Sequence, residues 1–136
     1  MVTKTKTEYT IHGDELMVCI LYYCATLHHQ TVFELREGMA SKILHKCKED
    51  QKFIALYDEY SFDDDWCGDI EESLSTLVFH KHLRTEEFRP HRYEIATPLT
   101  SRFTAYLEPF LNPLQKQLLQ ELTQLFLIGV AATPKT

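Results

Sequence analysis

The sequence predicts a mainly helical α+β domain that contains a short β-hairpin and ends in a long helix. Apolar residues recur at helical spacing near the N-terminus, after Gly68 and again from Pro113. Two alternating segments, LRTEEF and RYEIATP, lie on either side of a break at Arg89-Pro90-His91, which is typical of two short antiparallel strands. We expect one domain over residues 1–129, followed by a frayed tail at 130–136.

Composition indicates an ordinary globular protein, with 44% hydrophobic and 25% charged residues. The apolar runs LMVCILYYCATL and LFLIGVAA are shorter than the roughly 20 residues of a membrane-spanning helix, so no membrane span is predicted. The N-terminal MVTKTKTEYT lacks the apolar segment of a secretory signal, which predicts a cytoplasmic location. The irregularly spaced cysteines are expected to be reduced and mostly buried; they are Cys19, Cys24, Cys47 and Cys67.

The first part of the chain predicts a pair of packed helices. A short strand at Tyr9–His12 and a turn at Gly13 precede Asp14, a plausible N-cap residue. The first helix then runs to about His29, and a second is predicted from about Val32 to Glu49. Their apolar faces contain Leu16, Ile20, Tyr23, Cys24 and Leu27 in the first helix and Leu35, Met39, Ile43 and Cys47 in the second.

An extended segment and a third helix follow. FIALYDEYSF, from Phe53, alternates apolar residues and is rich in aromatic ones, which predicts a strand. The third helix is expected from Gly68 or Asp69 to about His80, with a buried face of Ile70, Leu74, Leu77 and Val78. Asp69, Glu71 and Glu72 would lie in its first turn, where carboxylates interact favourably with the helix dipole.

A helical segment from about Leu99 to Phe110 and a last helix from Pro113 complete the chain. Leucines recur every three or four residues along the last helix, at Leu114, Leu118, Leu122 and Leu125. Two interpretations are open. These leucines form an interface with another chain, such as a homodimer seam, or they cover the core formed by the first two helices.

Charge is unevenly distributed. The segment 57–72, YDEYSFDDDWCGDIEE, contains eight carboxylates and no Lys or Arg, and the net charge of the chain is −6. Such a segment disfavours a nucleic-acid backbone as its partner and favours a protein. Its candidate partner-binding residues are Asp58, Glu59, Asp63, Asp64, Asp65 and Trp66. The hairpin is locally basic, and its candidate contacts to a phosphate backbone or a charged protein are Lys81, Arg84, Arg89 and Arg92.

The predicted order of helix, helix, strand, helix, hairpin and helix is that of a winged-helix domain. Residues 53–97 resemble small prokaryotic winged-helix proteins in three short motifs: the tyrosine turn at Tyr57 and Tyr60-Ser61, the spacing of Leu74 and Leu77, and Tyr93-Glu94-Ile95-Ala96-Thr97. Such domains occur as antitoxin modules and as the middle subunit of ABC-ATPase three-component systems, some of them SMC-like anti-phage complexes. The resemblance implies an adaptor subunit of such a complex.

Two features favour protein binding over DNA binding. About 18 residues separate the second and third predicted helices, whereas a DNA-reading helix-turn-helix has a turn of about three or four. The body of the third helix, SLSTLVFH, offers no Arg, Lys, Asn or Gln to read base edges. We therefore expect a non-catalytic adaptor subunit, and the alternative is a dimeric winged-helix transcriptional regulator that binds DNA.

Metal binding and catalysis have little support in the sequence. The pair His80 and His82 would share a zinc ion only if extended, and adjacent His28 and His29 diverge on a helix. The Asp63-Asp64-Asp65 run lacks the spacing of a calcium loop. No Gly-rich phosphate loop or nucleophile motif is present. Neither an enzyme, a cofactor nor a metal site is predicted.

Overall fold

A computed structural model describes residues 9–132 of the chain. It is a mainly helical α+β structure with a small antiparallel sheet. In chain order its elements are α1 (Glu15–Leu27), β1 (Val32–Glu34), α2 (Met39–Cys47), a 3-10 helix (Gln51–Tyr57), α3 (Gly68–Phe79), β2 (Leu83–Glu86), β3 (Arg89–Ile95), α4 (Thr97–Arg102), which continues through a π-helical turn (Phe103–Leu107) and a 3-10 turn (Glu108–Phe110), and α5 (Pro113–Ala132).

Helix α1 lies at the centre of the core. All six residues from Leu16 to Leu21 are buried, as are Tyr23 and Cys24, so the helix is enclosed on nearly every side. Helices α3, α4 and α5 contact it, and α5 also packs on α2 and on the 3-10 helix. The predicted first helix is confirmed, but its buried surface is wider than the single apolar stripe that was predicted. A helix that is apolar on nearly every side is typical of the interior of a protein, which is where α1 lies.

The sheet has the order β1-β3-β2, with both pairs antiparallel. Tyr93 of β3 lies opposite Phe33 of β1 on one side and Thr85 of β2 on the other. The predicted hairpin is therefore confirmed. Its turn lies between Glu86 and Arg89, earlier than the predicted break at Arg89-Pro90-His91.

Three predicted elements are wrong. The helix expected over 32–49 is strand β1, a connecting segment and then α2, because Phe33 and Leu35 are both buried with exposed Glu34 between them. That alternation suits a strand, and β3 supplies its pairing partner. The strand expected from Phe53 is a 3-10 helix, since Phe53, Leu56 and Tyr57 are buried at a spacing of three or four. Residues 9–12 form no strand.

The remaining helix predictions are confirmed. Helix α3 covers Gly68–Phe79, the segment after β3 is helical from Thr97 to Phe110, and α5 starts at Pro113. Helix α5 continues past Gly129 to Ala132, so the start of the predicted frayed tail is helical, and residues 133–136 lie outside the described part of the chain. Within residues 9–132, no helix combines the length and the apolar character needed to cross a membrane.

All four cysteines are free thiols. Cys19, Cys24 and Cys67 are buried and Cys47 is partly buried. Burial raises the pKa of the Cys24 thiol to about 12, so that this group stays protonated and packs as a small apolar side chain.

Candidate functional site

Two buried tyrosines hold the acidic segment against the helices. The hydroxyl of Tyr57 donates to the Leu44 carbonyl of α2 at 3.1 Å. The hydroxyl of Tyr60 donates to the Gly13 carbonyl at 2.9 Å and accepts from the Leu16 amide at 3.3 Å. The Leu16 amide belongs to the first turn of α1, where backbone amides have no partner within the helix. The tyrosines therefore fix the backbone between the carboxylates.

The candidate carboxylates of this segment face solvent. Asp58, Glu59, Asp63, Asp64 and Asp65 are all exposed. These side chains thus lie at the surface and outside the core.

A tight turn forms the tip of the segment. The backbones of Asp63 and Trp66 pair with each other, through amide-to-carbonyl hydrogen bonds of 2.8 and 3.0 Å. Asp64 has a φ of 56°, a left-handed conformation that Asp tolerates better than most residues. The turn places the half-exposed Trp66 ring against Gly38 at the start of α2, where an added Cβ would lie 3.2 Å from the Trp66 Cζ3 atom.

Trp66 is part of an open apolar groove of about 890 Å³, which we call the α2–α5 groove. One wall is the row Met39, Ile43 and Cys47 of α2, and the other is the row Leu125, Ile128 and Ala132 of α5. Trp66 and Asp65 also line it. The helices approach closely at Gly129, where a Cβ atom would lie 2.7 Å from Cγ2 of Ile43. That contact joins the two walls of the groove.

Charged residues surround the apolar walls. Lys42 and Lys46 lie one turn apart on α2, and both are exposed. Carboxylates lie at the ends of α2, with Glu37 and Asp65 near its start and Glu49 and Asp50 just after its end. The groove is therefore apolar along its length, basic along α2 and acidic at both ends of that helix.

The four leucines proposed as an interface do not share one exposed face. Leu122 is fully buried and Leu118 packs partly buried against the core. Leu114 is 62% exposed, and only Leu125 lines the groove. The interpretation that α5 covers the core thus holds for Leu118 and Leu122, whereas Leu114 and Leu125 remain accessible.

Two of the four candidate basic contacts of the hairpin are paired within it. Arg84 lies opposite Glu94 and contacts it at 3.1 Å, and Arg92 contacts Glu86 at the same distance. The side chains of Lys81 and Arg89 form no ion pair within residues 9–132. The hairpin tip also exposes the ring of Phe88. Its surface is therefore less basic than the sequence suggests.

Sequence reasoning missed most of the groove. It assigned Met39, Ile43 and Cys47 to a face packed on the first helix, and it did not single out Lys42, Lys46 or Ile128. The signal that could have found it is the spacing of four residues within two neighbouring rows on α2. One row is apolar, from Met39 to Cys47, and the other is basic, with Lys42 and Lys46. Which helix would lie beside α2 depends on the path of α5, and that path is a tertiary property.

No group of three or more His, Cys, Asp or Glu side chains that could hold a metal ion occurs within the described range, 9–132. His80 and His82 lie with ring centroids 6.2 Å apart. Comparison of the chain with known protein families, with curated proteins and with solved structures finds no match.

Proposed function

We propose that this chain is a non-catalytic adaptor subunit that binds a protein partner in the α2–α5 groove. The observation that carries the proposal is the groove itself. It combines a half-exposed tryptophan with accessible Leu125 and Ile128, which are 39% and 57% exposed. Aromatic and aliphatic side chains in a pocket with a charged rim are the composition of a protein interface centre.

The element order supports a winged-helix domain as part of this proposal. Helix α1, strand β1, helices α2 and α3, and the hairpin β2–β3 follow one another, and the sheet order β1-β3-β2 fastens the hairpin to the strand between α1 and α2. The hairpin would then be the wing. The resemblance to middle subunits of ATPase complexes makes an SMC-like or ABC-type ATPase complex, with a role in antiviral defence, the partner class that we propose. The free thiols suit a cytoplasmic location.

The surface of α3 favours a protein over DNA. Its exposed positions include Asp69, Glu72, Ser75 and Phe79, which offer no cation to a phosphate. Arg84 and Arg92 are engaged by glutamates of the hairpin. Of the four candidate cations of the hairpin region, only Lys81 and Arg89 are unpaired within residues 9–132 and support the alternative of a dimeric DNA-binding regulator, and two cations are few for the phosphate contacts that such binding requires.

A photocrosslinking experiment in the native host tests the adaptor function. A photoreactive amino acid at Ile128 should yield one discrete protein adduct, identified by mass spectrometry, and the same group at exposed Gln117 of α5 serves as the control. We expect the adduct to disappear in Trp66→Ala. The affinity of the chain for random duplex DNA, measured over a salt series, should be lost well below physiological salt. DNA affinity that persists there and is lost in Arg89→Glu would overturn the adaptor function in favour of the regulator.

A further inference from the structure

We propose that the α2–α5 groove receives a single amphipathic helix of the partner, with acidic residues along the edge that faces Lys42 and Lys46. This inference rests on the proposed function and specifies the chemistry of the partner. Two observations carry it: the spacing of the apolar walls and the unpaired lysine row beside them.

The spacing of the walls suits a helix. Met39, Ile43 and Cys47 recur every four residues on α2, which places the outer two about 12 Å apart at a rise of about 1.5 Å per residue. A helical ligand with apolar residues at i, i+3 or i+4, and i+7 spans about 10 Å and so matches this row. The α5 wall repeats the pattern with Leu125, Ile128 and Ala132. A third helix laid along the groove, over the contact of Ile43 with Gly129, could therefore interleave its side chains with both rows.

The lysines select the charge of that helix. Lys42 and Lys46 are exposed and form no ion pair within residues 9–132. A ligand with Glu or Asp at i and i+4 along one edge would pair with both, since residues four apart share a helix face. Asp65 at one end of the groove and Asp50 at the other repel further acidic residues at the ligand termini. The acidic residues are thus restricted to the middle of the ligand.

A second copy of this chain fits less well. In a two-fold interface the same surface patch is present on both sides, so each copy would offer the lysines of the other only the charges that this groove contains. Helix α2, MASKILHKC, has no carboxylate, so in a second copy only the carboxylates at the groove ends, such as Glu37 and Glu49, could pair with those lysines, and none lies at the middle of the helix. On the facing wall, the nearest α5 carboxylate in sequence, Glu121, already contacts Lys52 at 3.1 Å. Charge therefore favours a different chain as the occupant.

Trp66 provides a direct readout, because it is the only tryptophan of the chain. The full chain is used to select binders from a displayed library of helical peptides. Peptides that also bind the variant Ile128→Glu are removed beforehand, so that the remaining binders depend on the groove. Selected peptides without tryptophan are then titrated while the emission of Trp66 is followed. We expect enrichment of apolar residues at i, i+3 or i+4, and i+7 beside Glu or Asp, and a blue shift of Trp66 emission on binding.

Charge reversal tests the role of the lysines. The double variant Lys42→Glu/Lys46→Glu should lose at least tenfold in affinity for the selected peptides and should regain it for peptides whose acidic residues are replaced by Lys. The double variant Lys116→Glu/Gln117→Glu, at the start of α5 and outside the groove, is the control and should bind as the unmodified chain does. Circular dichroism of each variant establishes that it is folded.

Several results would overturn the inference. Binders without helical spacing, binders that prefer basic residues, and binders unaffected by Ile128→Glu all contradict it. Concentration-dependent dimerisation that Ile128→Glu abolishes would assign the groove to a second copy. If any of these occurs while crosslinking from position 128 still captures one protein other than this chain, the helix inference fails and the adaptor function stands. If crosslinking also fails, both are lost.

Discussion

The carboxylate of Glu71 in α3 caps the N-terminus of α2 through Ser41. Its Oε2 atom accepts from the Ser41 hydroxyl at 2.6 Å and from the Ser41 amide at 3.1 Å, and its Oε1 atom accepts from the Gly38 amide at 2.7 Å. The Ser41 hydroxyl in turn accepts from the amide of Cys67, at the start of α3, at 3.2 Å. The two helices on either side of the acidic segment are thus joined at their first turns. Glu71 lies in the first turn of α3, as predicted, but its carboxylate also accepts hydrogen bonds from the first turn of α2, which was not predicted.

Removal of the Glu71 cap should destabilise the domain. Glu71→Ala leaves the amides of Gly38 and Ser41 without their acceptor in a partly buried site, which costs about 2–3 kcal/mol. Urea unfolding monitored by Trp66 fluorescence measures the loss. Glu72→Ala, on the exposed side of α3, is the control and should change stability by less than about 0.5 kcal/mol. An equal effect of both variants would contradict the cap.

The ion pair of Asp14 and Arg102 should make stability depend on acid pH. The guanidinium contacts both carboxylate oxygens of Asp14, at 2.6 and 2.7 Å, and joins α4 to the start of α1. Burial by itself raises the pKa of Asp14, but the hydrogen bonds and charge of Arg102 outweigh it and hold that pKa below its usual value. The pair therefore stabilises the fold above the unfolded pKa of about 3.9, and the contribution is lost as the pH falls through the folded pKa.

Asp14→Asn tests this linkage. We expect a loss of about 1–3 kcal/mol at neutral pH, since both side chains are mostly buried and the variant leaves the guanidinium without its counter-charge. Thermal unfolding at neutral pH and near pH 3 should show a smaller difference between variant and parent at the lower pH. A difference that grows as the pH falls would have the wrong sign and would exclude the pair as its cause.

The close approach of α2 and α5 should not tolerate a side chain at position 129. A Cβ atom there would lie 2.7 Å from Cγ2 of Ile43, so Gly129→Ala forces the two groove walls apart. We expect a net loss of about 1–2 kcal/mol even though alanine favours a helix by about 1 kcal/mol over glycine. Gly68→Ala, with open space around the added atom, is the matched control and should be neutral or stabilising. Adding Ile43→Ala to Gly129→Ala should relieve the clash, and additive effects in this double-mutant cycle would contradict it.

The hydroxyl of Tyr60 should contribute to the attachment of the acidic segment. Tyr60→Phe keeps the buried ring but leaves the Leu16 amide and the Gly13 carbonyl without that partner, at a cost of about 1–3 kcal/mol. Tyr106→Phe, which alters a 72% exposed ring, should change stability by less than about 0.5 kcal/mol. Chemical denaturation measures both. Faster amide hydrogen exchange at Leu16 in Tyr60→Phe would locate the effect at the first turn of α1.

Local patterns predicted the elements in which the apolar repeat continues over many residues or in which strong sequence signals mark the ends. Helices α1, α3 and α5 and the hairpin are of this kind. Strand β1 was missed because its three residues form no pattern longer than one alternation, and the hydrogen bonds that define it come from β3, about 60 residues later in the chain. The 3-10 helix was mistaken for a strand because a short, dense apolar run has no distinctive period.

The sequence by itself determined that the chain forms a mainly helical α+β domain, that its carboxylates concentrate between residues 57 and 72, and that Trp66 lies among them, since composition and spacing are local properties. Only the tertiary structure decided where those residues act. It turned Glu71 towards α2, paired two arginines of the hairpin with glutamates across the strands, and placed Trp66 in a groove that α5 also lines. The physical reason is that each of these three placements depends on contacts between residues of different chain segments, or on which helices pack together. The spacing of residues along one segment does not encode such contacts.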